Sequence, residues 1–305
     1  MTLQQLRQVL TIAESNSMNE AAKKLFVSQP NLSATVREVE EELGITVFMR
    51  NNRGITVTAE GEEFLGYAKQ VVEQYHLLEN RYLNVESKKK FSVSMQHYSF
   101  AVKAFVQLAK EVGMDEYEFA VHETKTKEVI DNVKNLKSEI GVLYLSDFNE
   151  KVLRKLFKEC DIEFKELFTC NTYVYLWKKH PLAGKKVITL DDLQEYPCLT
   201  FEQGVNNSFY YAEEMMSTYE YKRVIKADDR ATMLNLMVGL NGFTLCSGII
   251  SEDLNGDDYA AIPLKESEKM HIGYIKHKGT KLSKLGEIYI DAVSYTHLRA
   301  HETRG

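Results

Sequence analysis

The sequence predicts a multi-domain α/β protein with an N-terminal winged helix-turn-helix, a long linker helix and a C-terminal two-lobed α/β region. Three observations support this fold class. Closely spaced helical patterns precede a short hairpin, an apolar stripe then recurs at helical spacing over residues 59–87, and strands alternate with helices from residue 91 onward. A chain of 305 residues is also too long for one ordinary core and suits two or three domains.

Three short helices are predicted before residue 45. The apolar residues of the first helix fall three or four positions apart: Leu3, Leu6, Leu10 and Ala13. Ser17 and Glu20 form a capping-box pattern at the start of the second helix. Ser28 suits the N-cap of the third helix, with Pro30 in its first turn and Gly44 at its end. Because only two residues separate the second helix from the Ser28 cap, we expect these helices to cross steeply, as in a helix-turn-helix.

The outward face of the third helix carries short or forked hydrogen-bonding groups near its N-terminus. This is the end that a recognition helix inserts into the major groove. Two β-prone runs around an Asn/Gly turn follow, and they predict a hairpin, or wing, with two arginines at its tip. The alternative for this segment is a small helical domain whose polar face is only solvated. The candidate DNA-binding residues are Ser28, Gln29, Pro30, Asn31, Ser33, Arg37, Arg50 and Arg53.

The residues of this segment, taken together, carry a family resemblance. The matching positions are Leu6, Ala21-Ala22, Leu25, Val27-Ser28-Gln29-Pro30, Leu32-Ser33, Glu40, Leu43-Gly44, Phe48, Arg50, Arg53-Gly54, Thr58 and Gly61. In these residues the chain resembles the LysR-type transcriptional regulators of bacteria. The resemblance implies a homodimer or homotetramer that binds a palindrome in double-stranded promoter DNA. It also implies control by a small-molecule effector bound between two α/β lobes.

The charge of the chain is unusual for a DNA-binding protein, because the net charge is −6. Residues 1–58 contain six Lys/Arg and six Asp/Glu, so the predicted DNA-binding segment is close to neutral. We therefore expect affinity to come from two or more copies that bind together.

The apolar stripe that follows the wing predicts a helix with Thr58 as its N-cap. Its stripe is longer than one small domain covers, which favours a partner helix from a second copy. The alternative is a helix packed on its own body. Residues 59–90 are assigned as the linker/dimerisation helix and hinge, after a DNA-binding domain at 1–58. The predicted dimer contacts are Leu65, Ala68, Val72, Tyr75 and Leu78.

From residue 91 the alternation of strands and helices predicts a mostly parallel sheet. It includes a predicted helix over residues 210–219. Two lobes joined by crossovers near 160–165 and 264–270 resemble the periplasmic-binding-protein-like effector domain of the same family. Effector lobe I is assigned to 91–161 plus 266–292, and effector lobe II to 162–265.

Three loops of these lobes are expected to face one another beyond the strand ends, where open α/β folds bind ligands. Hydroxyls at helix N-termini there favour an anionic effector, and aromatic residues provide an apolar wall. The alternative at each position is a helix cap or strand-end packing. The candidate effector-binding residues are Tyr98, Ser99, Phe100, Thr124, Thr200, Phe201 and Gln203.

The last thirteen residues, 293–305, resemble the conceptual translation of a sequencing adapter and are assigned as an adapter-derived tail. The pair His297 and His301 within it otherwise suggests a zinc site, but a further ligand is lacking nearby. No metal and no cofactor are therefore expected. Four scattered cysteines favour reduced thiols, although Cys160 and Cys170 are close enough in sequence to raise the peroxide-sensing pair found in some family members.

The sequence does not support an enzymatic function, because it contains no G-x-S-x-G, Walker A, H-E-x-x-H or G-x-G-x-x-G motif. No catalytic residues are therefore assigned. The absence of a signal-peptide pattern and of a long apolar run predicts a cytoplasmic protein. The alternatives are a two-lobed solute-binding or catalytic protein, which needs export or turnover, and a DNA-architectural protein, which leaves the α/β lobes unexplained.

Overall fold

The computed structural model describes residues 1–15, 17–51, 54–82, 88–113, 116–206, 208–250 and 252–302. The chain divides into two compact units, Met1–Ser87 and Lys88–Gly305, and each has its own hydrophobic core. Within the described residues, no helix is both long and apolar enough to cross a membrane.

The first unit opens with the three predicted helices, α1 (Leu3–Ala13), α2 (Met18–Lys24) and α3 (Gln29–Leu43). The side chain of Ser17 caps α2 through the Glu20 N–H, and Gly44 ends α3 in the left-handed conformation, as predicted. A complete capping box lies instead at Thr2 and Gln5 of α1, which the sequence analysis missed. The wing follows as β1 (Phe48–Asn51) and β2 (Gly54–Val57), which are antiparallel.

The linker helix α4 (Ala59–Tyr82) begins after Thr58, whose hydroxyl accepts the Gly61 N–H at 2.9 Å. The assignment of Ala68 and Val72 to a dimer interface is wrong. Both side chains are buried against Leu6 of α1 in the same chain. The apolar face of α1 that the helix-turn-helix leaves open needs a cover, and α4 provides it.

The other predicted dimer contacts lie elsewhere on α4. Leu65 is half-buried and packs against the helix-turn-helix core. Tyr75 and Leu78 are exposed, and they share one face of the helix with exposed Tyr67 and Val71. We call the four residues Tyr67, Val71, Tyr75 and Leu78 the open stripe of α4. Residues 83–87, which the predicted helix also included, lie outside the described residues.

Lobe I of the second unit contains a five-stranded sheet in the order β4-β3-β5-β12-β6. Its strands are β3 (Lys89–Met95), β4 (Tyr117–Glu123), β5 (Ile140–Leu145), β6 (Ile162–Asn171) and β12 (Lys269–His277). Its helices are α5 (Ser99–Val112), α6 (Thr126–Lys134), α7 (Glu150–Glu159) and α11 (Lys284–Glu302). The sheet is mixed rather than mostly parallel, because β12 is antiparallel to both β5 and β6.

The pairing of β6 corrects the predicted lobe boundary. Since β6 pairs with β12 along its length, residues 162–171 belong to lobe I, and the chain crosses to lobe II after residue 171 rather than near 160–165. Lobe II contains β7 (Tyr173–Trp177), β8 (Cys198–Phe201), β9 (Val224–Ala227), β10 (Thr244–Cys246) and β11 (Tyr259–Pro263). Its helices are α8 (Leu190–Leu193), α9 (Arg230–Leu240) and α10 (Glu252–Asn255).

The helix predicted over residues 210–219 is wrong. A short 3₁₀ turn at Phe209–Tyr211 is followed by irregular chain. Two backbone carbonyls that a helix would need accept hydrogen bonds from lobe I instead. The carbonyl of Tyr211 accepts the Thr126 hydroxyl at 2.7 Å, and the carbonyl of Ala212 accepts the Tyr144 hydroxyl at 3.0 Å. Met216 has a φ of 57°, which interrupts helical geometry further along. We call residues 211–216 the interlobe segment.

Helix α11 continues beyond residue 292, the end predicted for native lobe I. Val293 is fully buried in the lobe I core, whereas Tyr295 is exposed. The adapter origin of residues 293–305 stays a prediction. In the part of the chain that the structure describes, no group of three or more His, Cys, Asp or Glu could hold a metal ion.

Candidate DNA interface and effector pocket

The N-terminal turn of α3 presents the polar face that the sequence predicts. Ser28, Pro30, Asn31 and Arg37 are exposed. The Ser28 hydroxyl accepts the Asn31 N–H at 3.4 Å and so holds the first turn. The Asn31 amide and the Arg37 guanidinium are therefore available to base edges or phosphates.

Gln29 and Ser33 form a pair on this face. The Gln29 amide nitrogen donates to the Ser33 hydroxyl at 2.8 Å, one helical turn away, and both side chains are half-buried. This hydrogen bond orients the amide, whose oxygen and second N–H can pair with the major-groove edge of adenine. Ser33 thus has the geometry of a positioning residue for Gln29.

Glu40 joins α3 to the wing. Its carboxylate accepts the backbone N–H of Val47 at 2.7 Å and of Phe48 at 3.0 Å, at the entry to β1. Arg50 lies in β1 opposite Ile55, but its side chain is not described. Arg53, the other predicted wing contact, lies outside the described residues.

We expect Glu40→Ala to lower the free energy of unfolding of the N-terminal domain by about 1–3 kcal/mol, because two buried N–H groups lose their acceptor. Urea unfolding of the full chain, followed by circular dichroism, measures this change. Glu41→Ala, at the exposed neighbouring position, is the matched control and should have little effect. Equal losses in the two variants would contradict the role assigned to Glu40.

Phe26, in the turn between α2 and α3, is a residue that sequence reasoning missed. Its side chain is 97% exposed and its φ is 54°, which is uncommon for a bulky residue. The ring lies two residues before the Ser28 cap, so it is available for apolar contact with a thymine methyl group or a sugar. An apolar residue inside a predicted helix-turn-helix turn was the available signal.

In the second unit, the three predicted loops do converge, but their polar groups bind one another. Buried Gln203 of lobe II accepts the Thr126 N–H through its side-chain oxygen at 3.1 Å. The Thr126 hydroxyl also accepts the Gln96 amide at 2.6 Å. Gln203 therefore ties the two lobes together, and its assignment as an effector contact is wrong because both ends of its amide have protein partners.

A buried histidine–carboxylate pair makes the second tie. Glu213 of the interlobe segment accepts the His97 N–H at 3.0 Å and lies 2.8 Å from its ring nitrogen Nδ1. The other carboxylate oxygen accepts the Gln203 amide at 2.9 Å. The His97 ring also stacks on Phe201, with ring centroids 3.7 Å apart. These contacts hold the two lobes in their present arrangement.

Beside this pair lies a pocket between the lobes with an empty volume of about 710 Å³, part of which is open to solvent. Four of the seven predicted effector residues line it: Tyr98, Ser99, Phe100 and Phe201. Its other walls come from β7, α9, β10 and residues 247–250.

Thr124 and Thr200 are not among the residues that line this pocket. The Thr124 hydroxyl donates to Glu128 one turn into α6, which is a local helix-start contact. Thr200 lies within β8 and pairs with Lys226 of β9. For these two residues the structure supports the alternative that sequence analysis left open, namely capping and strand packing.

Among the described residues that line the pocket, no positively charged side chain is left unpaired to bind an anion. Burial raises the pKa of Glu214 to about 8, and the negative charge of Glu213 adds to the rise. The guanidinium in the lining, Arg230, is paired with Glu123 of lobe I. An anion in the pocket would therefore face two carboxyl groups, and the nearby cation already has a partner.

Cys160 and Cys170, the two cysteines close enough in sequence to raise a peroxide-sensing pair, are not bonded to each other. Cys160 and Cys170 are free thiols that pack in two different hydrophobic clusters. Burial raises the pKa of both thiols, that of Cys170 to about 12. Thiols held in this neutral form are poor nucleophiles, so the structure supports the reduced, structural interpretation.

Two family descriptions match the chain. Residues 3–62 match "Bacterial regulatory helix-turn-helix protein, lysR family", and residues 96–294 match "LysR substrate binding domain". The HTH-type transcriptional regulator BsdA of Bacillus subtilis is 26% identical over 247 residues, which is 78% of this chain and 80% of BsdA. The regulator CysL of the same organism is 25% identical over 296 residues, which is 93% of this chain and 94% of CysL.

Solved structures share the fold. A full-length OxyR variant from Pseudomonas aeruginosa matches with a TM-score of 0.70 and 19% identity, over 96% of this chain and 94% of that one. Full-length CbnR in complex with its target DNA matches with a TM-score of 0.60 and 18% identity, over 97% of this chain and 100% of that one.

Proposed function

Since this chain belongs to the LysR family of bacterial transcriptional regulators, we propose that it reads its DNA site through the N-terminal face of α3 and is controlled from the pocket between its lobes. As a LysR-type regulator it has a DNA-binding helix-turn-helix and an effector-binding domain. The observation that carries the proposal is the exposed, capped N-terminus of α3, on which Gln29 is oriented by Ser33.

The division of roles along the chain follows from these elements. Residues 1–58 bind DNA, with Gln29, Asn31 and Arg37 reading bases, Ser33 orienting Gln29 and the wing contacting phosphates. The remainder of the linker helix joins two copies through its open stripe. Dimers or tetramers then bind an interrupted palindrome in promoter DNA, which supplies the affinity that a nearly neutral DNA-binding domain lacks.

The effector acts by binding one arrangement of the lobes more tightly than another. A coupling free energy of about 1–3 kcal/mol is sufficient for a regulatory response. The relatives named above are transcriptional regulators, and we propose that this protein likewise works by binding alone, without catalysis, in the cytoplasm.

Base readout is tested by replacing Gln29 or Asn31 with alanine, on a site first selected from a random DNA pool. We expect each variant to lose about 1–3 kcal/mol at the base it contacts and to relax specificity there. Arg53→Ala should instead weaken specific and random DNA alike and flatten the salt dependence of binding. Footprinting titrations at several salt concentrations separate the two effects.

The matched control is Glu41→Gln, an exposed position toward the other end of α3, which should leave specificity unchanged. The assignment of bases to α3 would be refuted if Gln29→Ala and Asn31→Ala reduced binding to the selected site and to random DNA by the same factor.

A further inference from the structure

Two buried hydroxyl groups, on residues that line the pocket, make no hydrogen bond within the described part of the chain. They belong to Thr244 and Tyr175, which are 6% and 9% exposed. The two residues are direct partners across β10 and β7, so both hydroxyls are held by one rigid pair of strands. Asn255 lies beside the tyrosine hydroxyl, outside normal hydrogen-bond geometry.

An unpaired buried hydroxyl is unfavourable, and such groups in a folded protein call for a partner. A hydroxyl donates a hydrogen bond most readily to a carbonyl or ether oxygen. Two donors fixed on adjacent strands therefore suit a ligand that carries an acceptor atom.

Apolar side chains form much of the rest of the pocket wall. Helix α9 contributes Met233, Leu234 and Met237, and the chain after β10 contributes Ile249 and Ile250. Lobe I adds the sulfur-containing side chain of Met270. Methionine-rich walls adapt to irregular ligands.

The pocket offers little to a charged ligand. Glu214 has its pKa raised to about 8 and is mainly neutral near pH 7, while its carboxyl oxygen Oε1 accepts the Phe201 N–H. Glu213 is occupied by His97 and Gln203, and Arg230 by Glu123. These charges are matched within the protein, so an ion entering the pocket would find no unpaired charged side chain among the described lining residues to offset its lost hydration.

We infer that the effector is an uncharged, mostly apolar small molecule whose carbonyl or ether oxygen accepts hydrogen bonds from Thr244 and Tyr175. This inference rests on the proposed function, because it assigns a ligand class to the same pocket. It differs from the expectation drawn from the sequence, in which hydroxyls at helix N-termini favoured an anionic effector.

The test is calorimetric titration of the full chain with probes that share one ring. Acetophenone, methyl benzoate and N-methylbenzamide are uncharged, whereas benzoate is an anion and benzylamine a cation. We expect at least one uncharged probe to bind about tenfold more tightly than either ion. The inference is overturned if benzoate or benzylamine binds more tightly, or if no uncharged probe binds.

Thr244→Val and Tyr175→Phe remove one hydroxyl each with little change of shape. Each should weaken the best uncharged probe by about five- to tenfold, the usual net effect of one hydrogen bond. Because these hydroxyls are unpaired without ligand, the variants should keep or gain thermal stability. A purely structural role would instead lower it.

Tyr221→Phe is the matched control. Its hydroxyl is also buried and unpaired among the described residues, but it packs in the lobe II core and does not line the pocket. This variant should bind the probe like the wild type. Equal binding by all three variants would show that the pocket hydroxyls do not contact ligand, and would overturn the inference.

DNA footprinting on the same preparations distinguishes a wrong ligand class from a wrong proposed function. A protein that binds its DNA site but prefers ions in the pocket contradicts the ligand class and leaves the proposed function standing. A protein that binds an uncharged probe through Thr244 but no DNA contradicts the proposed function instead.

Discussion

Replacing Val71 and Leu78 together with glutamate is expected to convert the full-length protein from an oligomer joined through α4 into monomers. Both side chains are about half exposed on the open stripe of α4, at 51% and 54%. If a second copy covers this stripe, the two carboxylates would be buried against apolar groups at a penalty of several kcal/mol. A penalty of that size raises a dissociation constant by a hundredfold or more, as an order of magnitude.

Sedimentation velocity across a range of concentrations measures this change. Lys69→Glu is the matched control, because it alters the net charge by the same two units on a different face of α4. Since Val71 and Leu78 are exposed within the chain, circular dichroism should show that the double variant remains folded. A double variant that still forms dimers at the lowest concentration measured would contradict an interface along the open stripe.

The second expected result concerns Glu214 and pH. Its pKa in the folded protein is raised to about 8, from an ordinary value of 4.5, chiefly by burial and then by Glu213. Between these values the folded protein keeps a proton that the unfolded chain releases. The contribution of neutral Glu214 to the free energy of unfolding is therefore fully present below about pH 4.5 and is lost as pH rises through about 8. Between these values the free energy of unfolding falls by up to about 1.4 kcal/mol per pH unit.

Glu214→Gln should remove this pH dependence, because glutamine stays neutral and keeps an oxygen to accept the Phe201 N–H. Relative to wild type, the variant should gain several kcal/mol of unfolding free energy between about pH 5 and about pH 8. Urea unfolding at several pH values measures the gain, with the single tryptophan, Trp177 of lobe II, as the fluorescent probe. His97 and Glu213 are present in both proteins, so the difference isolates Glu214.

Glu195→Gln is the control for this experiment. Its carboxylate is exposed and paired with Lys222, and that hydrogen bond lowers its pKa. It stays ionised over the whole range, so its replacement should change stability by the same small amount at every pH. A Glu214→Gln variant that parallels Glu195→Gln would show that Glu214 is ionised in the folded protein at neutral pH.

Local signals were sufficient for much of this fold. The cap at Ser28 and the left-handed Gly44 lie where the sequence predicts them, because capping depends on a few adjacent residues. Three strands of the effector lobes are further examples: Ile140–Leu145, Tyr173–Trp177 and Cys198–Phe201. Each is a short apolar run between turn signals, which a sequence shows directly.

Contacts between distant segments could not be predicted from such local signals. The stripe of α4 is apolar over a wide arc, and only the packing of α1 against Ala68 decides which side is buried. The strand β6 reads like any other β-prone run, and its place in lobe I depends on the match with β12, about a hundred residues later. The helical pattern at 210–219 was overridden because Thr126 and Tyr144 take the carbonyls of the interlobe segment.

The sequence by itself determined the order of domains, the polar face of α3 and the loops that meet between the lobes, because these depend on residue types within one element. Only the tertiary structure decided what those loops present to a ligand. Gln203 and Glu213 look like free polar groups in the sequence, yet both are buried in interlobe hydrogen bonds. Only the polar groups that these long-range contacts leave unpaired can bind a ligand in the pocket. Which groups are left unpaired depends on residues far apart in the chain, so no local sequence pattern shows it.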